Sequence, residues 1–399
     1  MWSRLRGRAL AAGAVCIPLL IFGCGGDPMG RDGTTLCNPT TNTVFLSSKI
    51  DDDDGDGYPR DENYPTIDDE DDDIVDHAWI EDASGAYHLF FQNEDRGVGS
   101  DIMHYTTTDL QNLTYVGVAL QKNPGGWDSQ ALWAPHIVQN GKTYFMFYTG
   151  TSGTGPDAKQ RLGLATSTDL TTWTRFPLNR CHQTSGDGCI YDCAEAWTTW
   201  GGPPGAHNQQ CRDPFVLWDA AHGRWVLFAT AKSTNGFGVV TVAYSADLVH
   251  WLGAGYIDAT RLLTAGSGGQ PTGGQAENPY VLSHAGTFYL LFSDWADPED
   301  DCSVPHPRTI VQYATSSTLR ADAAGSSHWS YRGFIPDPGV NAIEALVVDG
   351  DTWILSQSIT DRTSCDYAEH RRELRLKRVG WGPNATFSTS LWAPCAGAP

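Results

Sequence analysis

Residues 143–149 read TYFMFYT, a short run that alternates aromatic and aliphatic side chains. The same pattern recurs four more times, in AYHLFFQ (86–92), RWVLFAT (224–230), TFYLLFS (287–293) and DTWILSQ (351–357). Each copy follows a short apolar strand and a turn and precedes a third strand, which in two copies ends in Ser/Thr-x-Asp-Leu-x-x-Trp. Self-similarity at a regular spacing is the signature of a repeat architecture.

A repeat of three or four short antiparallel strands cannot bury both of its faces alone, so the copies must pack side by side, and a closed ring leaves only short edges. We therefore predict an all-β fold, a five-bladed β-propeller over residues 71–399. The 43 Gly, 22 Pro and only 18% charged residues agree with short strands joined by turns. A two-sheet sandwich would not explain the equal spacing. Trp173 and Trp251, at the same place in successive repeats, are expected to pack between blades.

Residues 1–24 have the pattern of a signal peptide. Three arginines within the first eight residues precede an apolar stretch at 9–22 that is too short for a permanent membrane helix. The stretch ends in Ile-Phe-Gly-Cys24, which is similar to a bacterial lipoprotein box, although Phe22 is bulkier than is usual there. We expect an exported chain, with lipidation of Cys24 and contact with a membrane only through that anchor; ordinary secretion is the alternative.

Residues 25–70 are polar and broken by Pro and Gly, which predicts a flexible, disordered acidic linker. Much of the formal charge of −21 comes from acidic residues at 51–76. Calcium loops present oxygen ligands at alternating positions, and a DxDxDG spacing of this kind is formed by Asp52, Asp54 and Asp56, with Asp61 further on. A solvated spacer is the alternative. The acidity excludes nucleic acid as a partner, and we expect a monomer.

The cysteines outside the predicted signal peptide are even in number, which favours disulfides in an exported protein. Cys302 with Cys365, and some pairing within 181–211, are the expected bridges. Zinc is the alternative, but it needs paired short spacings with histidines in step, and only Cys189 and Cys193 offer one such pair.

The innermost strand of each propeller blade lines the central channel, so the residues that open each repeat can converge on one point. The five openings read VDHAWI (75–80), LWAPHIV (132–138), CRDPFVLW (211–218), AENPYVL (276–282) and VNAIEALV (340–347). Three of them carry a carboxylate just before the first strand, at Asp76, Asp213 and Glu277.

Hydrolysis of a glycosidic bond needs one protonated and one ionised carboxyl group across the scissile bond. A third carboxylate nearby can hold the pKa of the acid up through like-charge repulsion. Each acid alone could be a turn residue. Three acids in a crowded channel are unfavourable unless they are paired or used, so together they indicate a glycosidase site that needs no metal or other cofactor for catalysis.

From about residue 71 to the C-terminus the sequence resembles the five-bladed glycosidases of families 43 and 32. The resemblance rests on three short motifs in order, which are Trp133-Ala134-Pro135-His136, Arg212-Asp213-Pro214-Phe215-Val216 and Glu277-Asn278-Pro279-Tyr280. Family 43 implies a carbohydrate substrate and an inverting mechanism. It places an Asp base on the first blade, a pKa-tuning Asp on the third and a Glu acid on the fourth, which fall on Asp76, Asp213 and Glu277.

Departures from the family pattern leave alternatives open. His77 follows Asp76 where the family usually has Pro, so Asp73 is the fallback base. Family 32 implies a retaining fructosidase, but its first-blade Asn-Asp-Pro-Asn-Gly is not found here. A carbohydrate-binding propeller without activity is a further alternative. The fifth blade has Asn341 and Glu344 where a channel His is common.

Residues expected to touch the sugar are drawn mainly from the same openings. Aromatic rings can stack on sugar faces, and the candidates are Trp79, Trp133 and Trp295, each with a core role as the alternative. His136 is expected to bind a sugar hydroxyl, or else to be a satisfied channel histidine. Arg212 and Asn341 complete the predicted substrate-binding set.

Overall fold

The structure is a computed structural model that describes fourteen parts of the chain. These are residues 73–94, 100–110, 112–153, 158–182, 186–200, 209–259, 262, 276–295, 309–321, 328–335, 340–348, 352–361, 371–383 and 386–391. The predictions for the signal peptide with Cys24, the linker 25–70 with its aspartates, and the Cys302–Cys365 bridge concern residues outside these ranges. Within the ranges, no helix is long and apolar enough to cross a membrane.

The described strands form five antiparallel sheets, each ordered along the chain from the innermost strand outward. Blade 1 holds β1 (Asp73–Glu81), β2 (Tyr87–Glu94), β3 (Ile102–Thr107) and β4 (Thr114–Leu120). Blade 2 holds β5 (Ala131–Asn140), β6 (Thr143–Ser152), β7 (Lys159–Ser167) and β8 (Thr174–Arg175), with β9 (Cys189–Tyr191) paired to β7.

The last three blades have four strands each. Blade 3 holds β10 (Cys211–Asp219), β11 (Arg224–Lys232), β12 (Gly238–Ser245) and β13 (Leu252–Asp258). Blade 4 holds β14 (Ala276–His284), β15 (Thr287–Trp295), β16 (Thr309–Ser316) and β17 (Ser330–Phe334). Blade 5 holds β18 (Val340–Val348), β19 (Thr352–Asp361), β20 (Arg371–Trp381) and β21 (Phe387–Leu391).

The five innermost strands close into a ring. Strand β1 contacts β5, β5 contacts β10, β10 contacts β14, β14 contacts β18, and β18 returns to β1. One apolar cluster fills each of the five interfaces between neighbouring blades, and the interface of blades 5 and 1 closes the ring with Leu346 and Leu374 packed in one cluster with Leu89 and Phe91. The predicted all-β, five-bladed propeller is confirmed, and the five repeat openings are its innermost strands.

The Ser/Thr-x-Asp-Leu-x-x-Trp ending is a turn that caps the third strand. In blade 2, Asp169 accepts hydrogen bonds from the backbone N–H groups of Thr171 and Thr172, at 2.9 and 2.7 Å, and Trp173 Nε1 donates to the Leu170 carbonyl at 2.9 Å. The turn fixes the indole ring against Phe90 of blade 1, with an edge-to-face ring distance of 5.6 Å.

Blade 3 repeats this turn one repeat later. Trp251 Nε1 donates to the Leu248 carbonyl at 3.1 Å, and the indole meets Phe147 of blade 2 edge to face at 5.8 Å. Trp173 and Trp251 therefore pack between blades, as predicted, and each contributes roughly 0.5–1.5 kcal/mol beyond its buried area.

The connection from blade 2 to blade 3 is tied by two disulfides, Cys181–Cys189 and Cys193–Cys211. The predicted pairing within 181–211 is thereby confirmed. The first bridge anchors β9, and the second bonds the connection to the first residue of β10. Strand β10 carries Arg212 and Asp213, so the second bridge lies directly beside the predicted catalytic motif.

Candidate active site

Three innermost strands share one irregularity. In β5, β10 and β14 the ladder skips two residues, Ala134-Pro135, Asp213-Pro214 and Asn278-Pro279. The first residue of each bulge has a positive φ, 44° at Ala134, 56° at Asp213 and 50° at Asn278. This conformation is costly for a residue with a Cβ, and Asp and Asn tolerate it best. Proline has no N–H to donate, but at a bulge this costs no ladder hydrogen bond because the skipped residues are unpaired.

Blade 1 has a bulge of the same size without the proline. The register shifts between Ile74 and His77, so Val75 and Asp76 are the skipped pair. Asp76 therefore stands where the other blades have proline, one residue beyond the place of Asp213. The carboxylates were predicted just before their strands; they lie inside β1, β10 and β14, because pairing continues on both sides of each bulge.

A cavity at the centre of the ring collects the bulge residues. Asp76, Asp213, Asn278 and Glu344 all line it. Asn278 links the two aspartates, since its Nδ2 donates to Asp76 Oδ1 at 2.5 Å and its backbone N–H donates to Asp213 Oδ2 at 3.1 Å. The same Asp213 oxygen accepts from the Thr230 hydroxyl at 2.9 Å.

Glu277 joins this group of charges through Arg212. The guanidinium Nη2 of Arg212 donates to Glu277 Oε1, and its Nε lies 3.4 Å from Asp213 Oδ2. The side chains of Arg212 and Glu277 are only 10% and 15% exposed. The structure therefore brings Asp76, Asp213 and Glu277 into one partly buried network of hydrogen bonds and ion pairs.

Burial controls the charge states in the network. It raises the pKa of Asp213 to about 6; Arg212 opposes this effect, and repulsion from Glu277 adds to it. Burial acts to lower the pKa of Arg212, but attraction to Glu277, Asp213 and Asp76 outweighs it and raises that pKa. Arg212 therefore stays a cation, and Asp213 titrates close to neutral pH.

His136 has protein partners on both sides of its ring. Its Nε2 donates to the Val216 carbonyl at 2.9 Å, and its Nδ1 lies 3.3 Å from Glu344 Oε1, so both ring nitrogens are engaged by protein. These contacts agree with a satisfied channel histidine, and binding of a sugar hydroxyl by His136 stays a prediction. Burial raises the pKa of its partner Glu344, although His136 and Tyr280 act against the rise.

The three tryptophan candidates occupy different places. Trp79 is 6% exposed and packs in the cluster between blades 1 and 5, so its ring is part of the core and cannot stack on a sugar in this conformation. Trp133 is half-buried and is the last paired residue before the bulge of β5. Arg212 and Glu277 occupy the equivalent positions in β10 and β14. Trp295 is the last residue of β15. Stacking by Trp133 and Trp295 stays a prediction.

The remaining candidates lie on innermost strands. Asp73 is the first residue of β1, and Asn341 lies at a register shift of β18 between Val340 and Ala342. No cluster of three or more His, Cys, Asp or Glu residues suited to a metal ion occurs in the described part of the chain. The possible calcium aspartates lie outside it.

Sequence reasoning missed two residues of the network. Asn278 follows Glu277 directly and occupies the register position of Asp213, so a comparison of the openings would have found it. Gln160, on β7, accepts a hydrogen bond from Arg212 Nη1 at 3.2 Å. It lies in a third strand, and no pattern in the sequence places it near the channel.

A ring of five blades whose innermost strands bring three carboxylates into one network has the architecture of a propeller glycosidase. The family model for glycosyl hydrolases family 43 matches residues 72–387. The chain belongs to this family and is a glycosidase that acts on carbohydrate. No curated protein matches its sequence.

Solved structures share this fold at low sequence identity. A thermostable family-43 glycoside hydrolase is 14% identical with a TM-score of 0.56, over 81% of this chain and 95% of that one. An exo-1,5-α-L-arabinanase from a bovine ruminal metagenomic library is 16% identical with a TM-score of 0.53, over 80% and 97%. A family 32 β-fructofuranosidase of Bombyx mori is 15% identical with a TM-score of 0.57, over 80% of this chain but 62% of its own.

Proposed function

We propose that this family 43 chain is an inverting glycosidase in which Asp76 is the general base, Asp213 tunes the acid and Glu277 is the general acid. The observation that carries the proposal is the linkage of the three carboxylates. They come from the innermost strands of blades 1, 3 and 4, and Asn278 and Arg212 join them into one partly buried network.

The proposed reaction is a single displacement. Glu277 gives a proton to the glycosidic oxygen while the bond from that oxygen to the anomeric carbon breaks. A water molecule attacks the anomeric carbon from the opposite face, and Asp76 takes the proton that this water releases. The configuration inverts because attack and departure occur on opposite faces. Exchange with solvent then returns a proton to Glu277 and removes one from Asp76.

Asp213 is proposed to act on Glu277 and not on the sugar. Its carboxylate accepts hydrogen bonds from Thr230 and Asn278 and lies beside the Arg212 cation. A negative charge at Asp213 offsets the positive charge of Arg212 next to Glu277, which helps an acid to keep its proton. A pKa of about 6 leaves Asp213 largely ionised at neutral pH.

The sugar is proposed to contact the residues that precede the bulges. Trp133, Arg212 and Glu277 occupy equivalent register positions in blades 2, 3 and 4. A sugar held at this level could stack on the indole and accept hydrogen bonds from the guanidinium. Asn341 is the proposed contact from blade 5.

The spacing of base and acid distinguishes inversion from retention. An inverting pair needs about 6.5–9.5 Å between its carboxyl groups to admit water, whereas a retaining pair needs about 5–5.5 Å. We expect the larger spacing between Asp76 and Glu277 when a sugar is bound. A retaining, fructosidase-like mechanism would show the smaller one.

A substrate screen tests the proposal. Purified protein is assayed on arabinofuranosides, xylosides and galactosides of unsubstituted phenol, a leaving group that needs protonation, and on fructosyl oligosaccharides, beside Glu277→Gln, and the anomer first released is identified by NMR. Hydrolysis with inversion that Glu277→Gln abolishes is the expected result. Release of the retained anomer, or full activity of Glu277→Gln, would overturn the proposed mechanism.

A further inference from the structure

Gln160 reaches from blade 2 to the start of the catalytic strand of blade 3. Its Oε1 accepts two hydrogen bonds, from the backbone N–H of Cys211 and from Arg212 Nη1, each at 3.2 Å. The other edges of the same guanidinium face Asp213 and Glu277. Gln160 therefore fixes the plane in which Arg212 meets the two carboxylates.

The Arg212–Glu277 pair conflicts with the proposed chemistry. A guanidinium has only donors and stays protonated in proteins, so the carboxyl oxygen that it binds acts as an acceptor. A general acid must instead carry a proton and donate it to the leaving group. The cation favours the ionised carboxylate over the protonated acid, so weakening the Arg212–Glu277 pair favours the form of Glu277 that can donate a proton.

The neutral side-chain amide of Gln160 is suited to orienting Arg212 in its ion pair with Glu277. Glu277 and Asp213 both form ion pairs with Arg212, and Asp76 acts on it through its charge. Because Gln160 is uncharged, it orients the guanidinium without drawing its charge away from the carboxylates. A carboxylate in its place would compete with Glu277 for the cation.

We propose that Gln160 is a positioning residue that holds Arg212 as a lock on Glu277, and that the substrate opens this lock. Hydroxyl groups of the bound sugar accept hydrogen bonds from the N–H groups of Arg212. This frees Glu277 to take a proton from solvent and then to pass it to the glycosidic oxygen. The inference rests on the proposed function, because it assumes that Glu277 is the acid.

Gln160→Glu and Gln160→Leu test the lock, with Gln312→Leu as the matched control. Gln312 is also a third-strand glutamine; it accepts a hydrogen bond from the Tyr331 hydroxyl at 2.8 Å in blade 4 and does not line the central cavity. The pH dependence of kcat/KM and the separate kcat and KM values are measured on the best aryl glycoside from the screen. Thermal unfolding verifies that each variant is folded.

Gln160→Glu should move the alkaline limit of the kcat/KM profile upward by about one pH unit, because a third carboxylate shares the Arg212 charge. It should also raise KM severalfold. Gln160→Leu should give a smaller shift in the same direction, and Gln312→Leu should leave the profile unchanged. If Gln160→Glu does not fold, Gln160→Leu alone decides by the same criterion.

Unchanged profiles and KM values in the Gln160 variants would overturn the lock, as would an equal shift in Gln312→Leu. These outcomes leave the proposed function intact provided that Glu277→Gln is inactive. Full activity of Glu277→Gln would instead remove the proposed function itself, so the two failures are distinguishable.

Discussion

Across the central channel, Nδ2 of Asn278 on the fourth blade donates a hydrogen bond to Oδ1 of Asp76 on the first blade, at 2.5 Å. The backbone N–H of the same residue donates to Asp213 at 3.1 Å. One residue thus orients the proposed base and contacts the proposed tuner. The positive φ of 50° at Asn278 directs its side chain and its N–H to these two partners.

Asn278→Gly should lower kcat/KM by about 10²-fold, because a base displaced by about 1 Å loses a factor of this size. Glycine accepts a positive φ without strain, so the substitution removes the side chain and spares the backbone. Steady-state kinetics and a thermal melt provide the measurement. A large fall in stability with unchanged kcat/KM would show that Asn278 acts only on the fold.

Asp76→Asn should reduce kcat by about 10²–10⁴-fold, the usual contribution of a general base. Asp73→Asn, in the same strand, is the control and should have little effect. The bulge of β1 places Asp76 beside the cavity. Comparable losses in the two variants, or a larger loss in Asp73→Asn, would transfer the role of base to Asp73.

Asp213→Asn should change how stability depends on pH. The folded-state pKa of about 6 lies above the ordinary value of 3.8, so the native state binds the extra proton between these values. The wild-type protein should therefore lose stability as pH rises from about 4 to 6 through this group, with a slope of up to about 1.4 kcal/mol per pH unit.

The variant lacks this ionisation, so its stability should fall less over the same interval. Denaturant unfolding at pH 4, 5, 6 and 7 compares the two proteins. Parallel curves for wild type and variant would contradict the raised pKa. Activity of Asp213→Asn should also fall, since no negative charge then offsets Arg212.

Loss of the Cys193–Cys211 bridge should lower both stability and activity. Closing a loop of 18 residues contributes about 3 kcal/mol to the free energy of unfolding. Because Cys211 directly precedes Arg212, Cys193→Ser/Cys211→Ser should also raise KM. The matched control, Cys181→Ser/Cys189→Ser, should lower stability with a smaller effect on KM. If the two double variants changed KM equally, the Cys193–Cys211 bridge would have no specific effect on the active site.

The sequence predicted the ring because every blade repeats one unit, and the period is visible in the inner strand pairs. It did not predict β9, since the pairing of Cys189–Tyr191 with β7 depends on a connection closed by disulfides. Residue spacing restricts such bridges to a region but does not fix their connectivity.

The site was predictable only in part, for a related reason. The three acids stand at the openings of repeats, so their convergence follows from the fold. The burial of Trp79 and the hydrogen-bond partners of His136 depend on residues of other blades. Glu344, for example, is 208 residues away from His136 in the chain. The one-residue offset of Asp76 depends on a bulge register that has no proline to mark it.

The dependence of activity on the leaving group tests the central claim, that Glu277 protonates the departing oxygen, most directly. Wild type and Glu277→Gln are compared on aryl glycosides of one sugar, from dinitrophenol to unsubstituted phenol as leaving group. The variant should retain most of its kcat with dinitrophenol, which needs no protonation, and lose about 10²–10⁴-fold with phenol. An equal loss on every leaving group would show that Glu277 is not the acid.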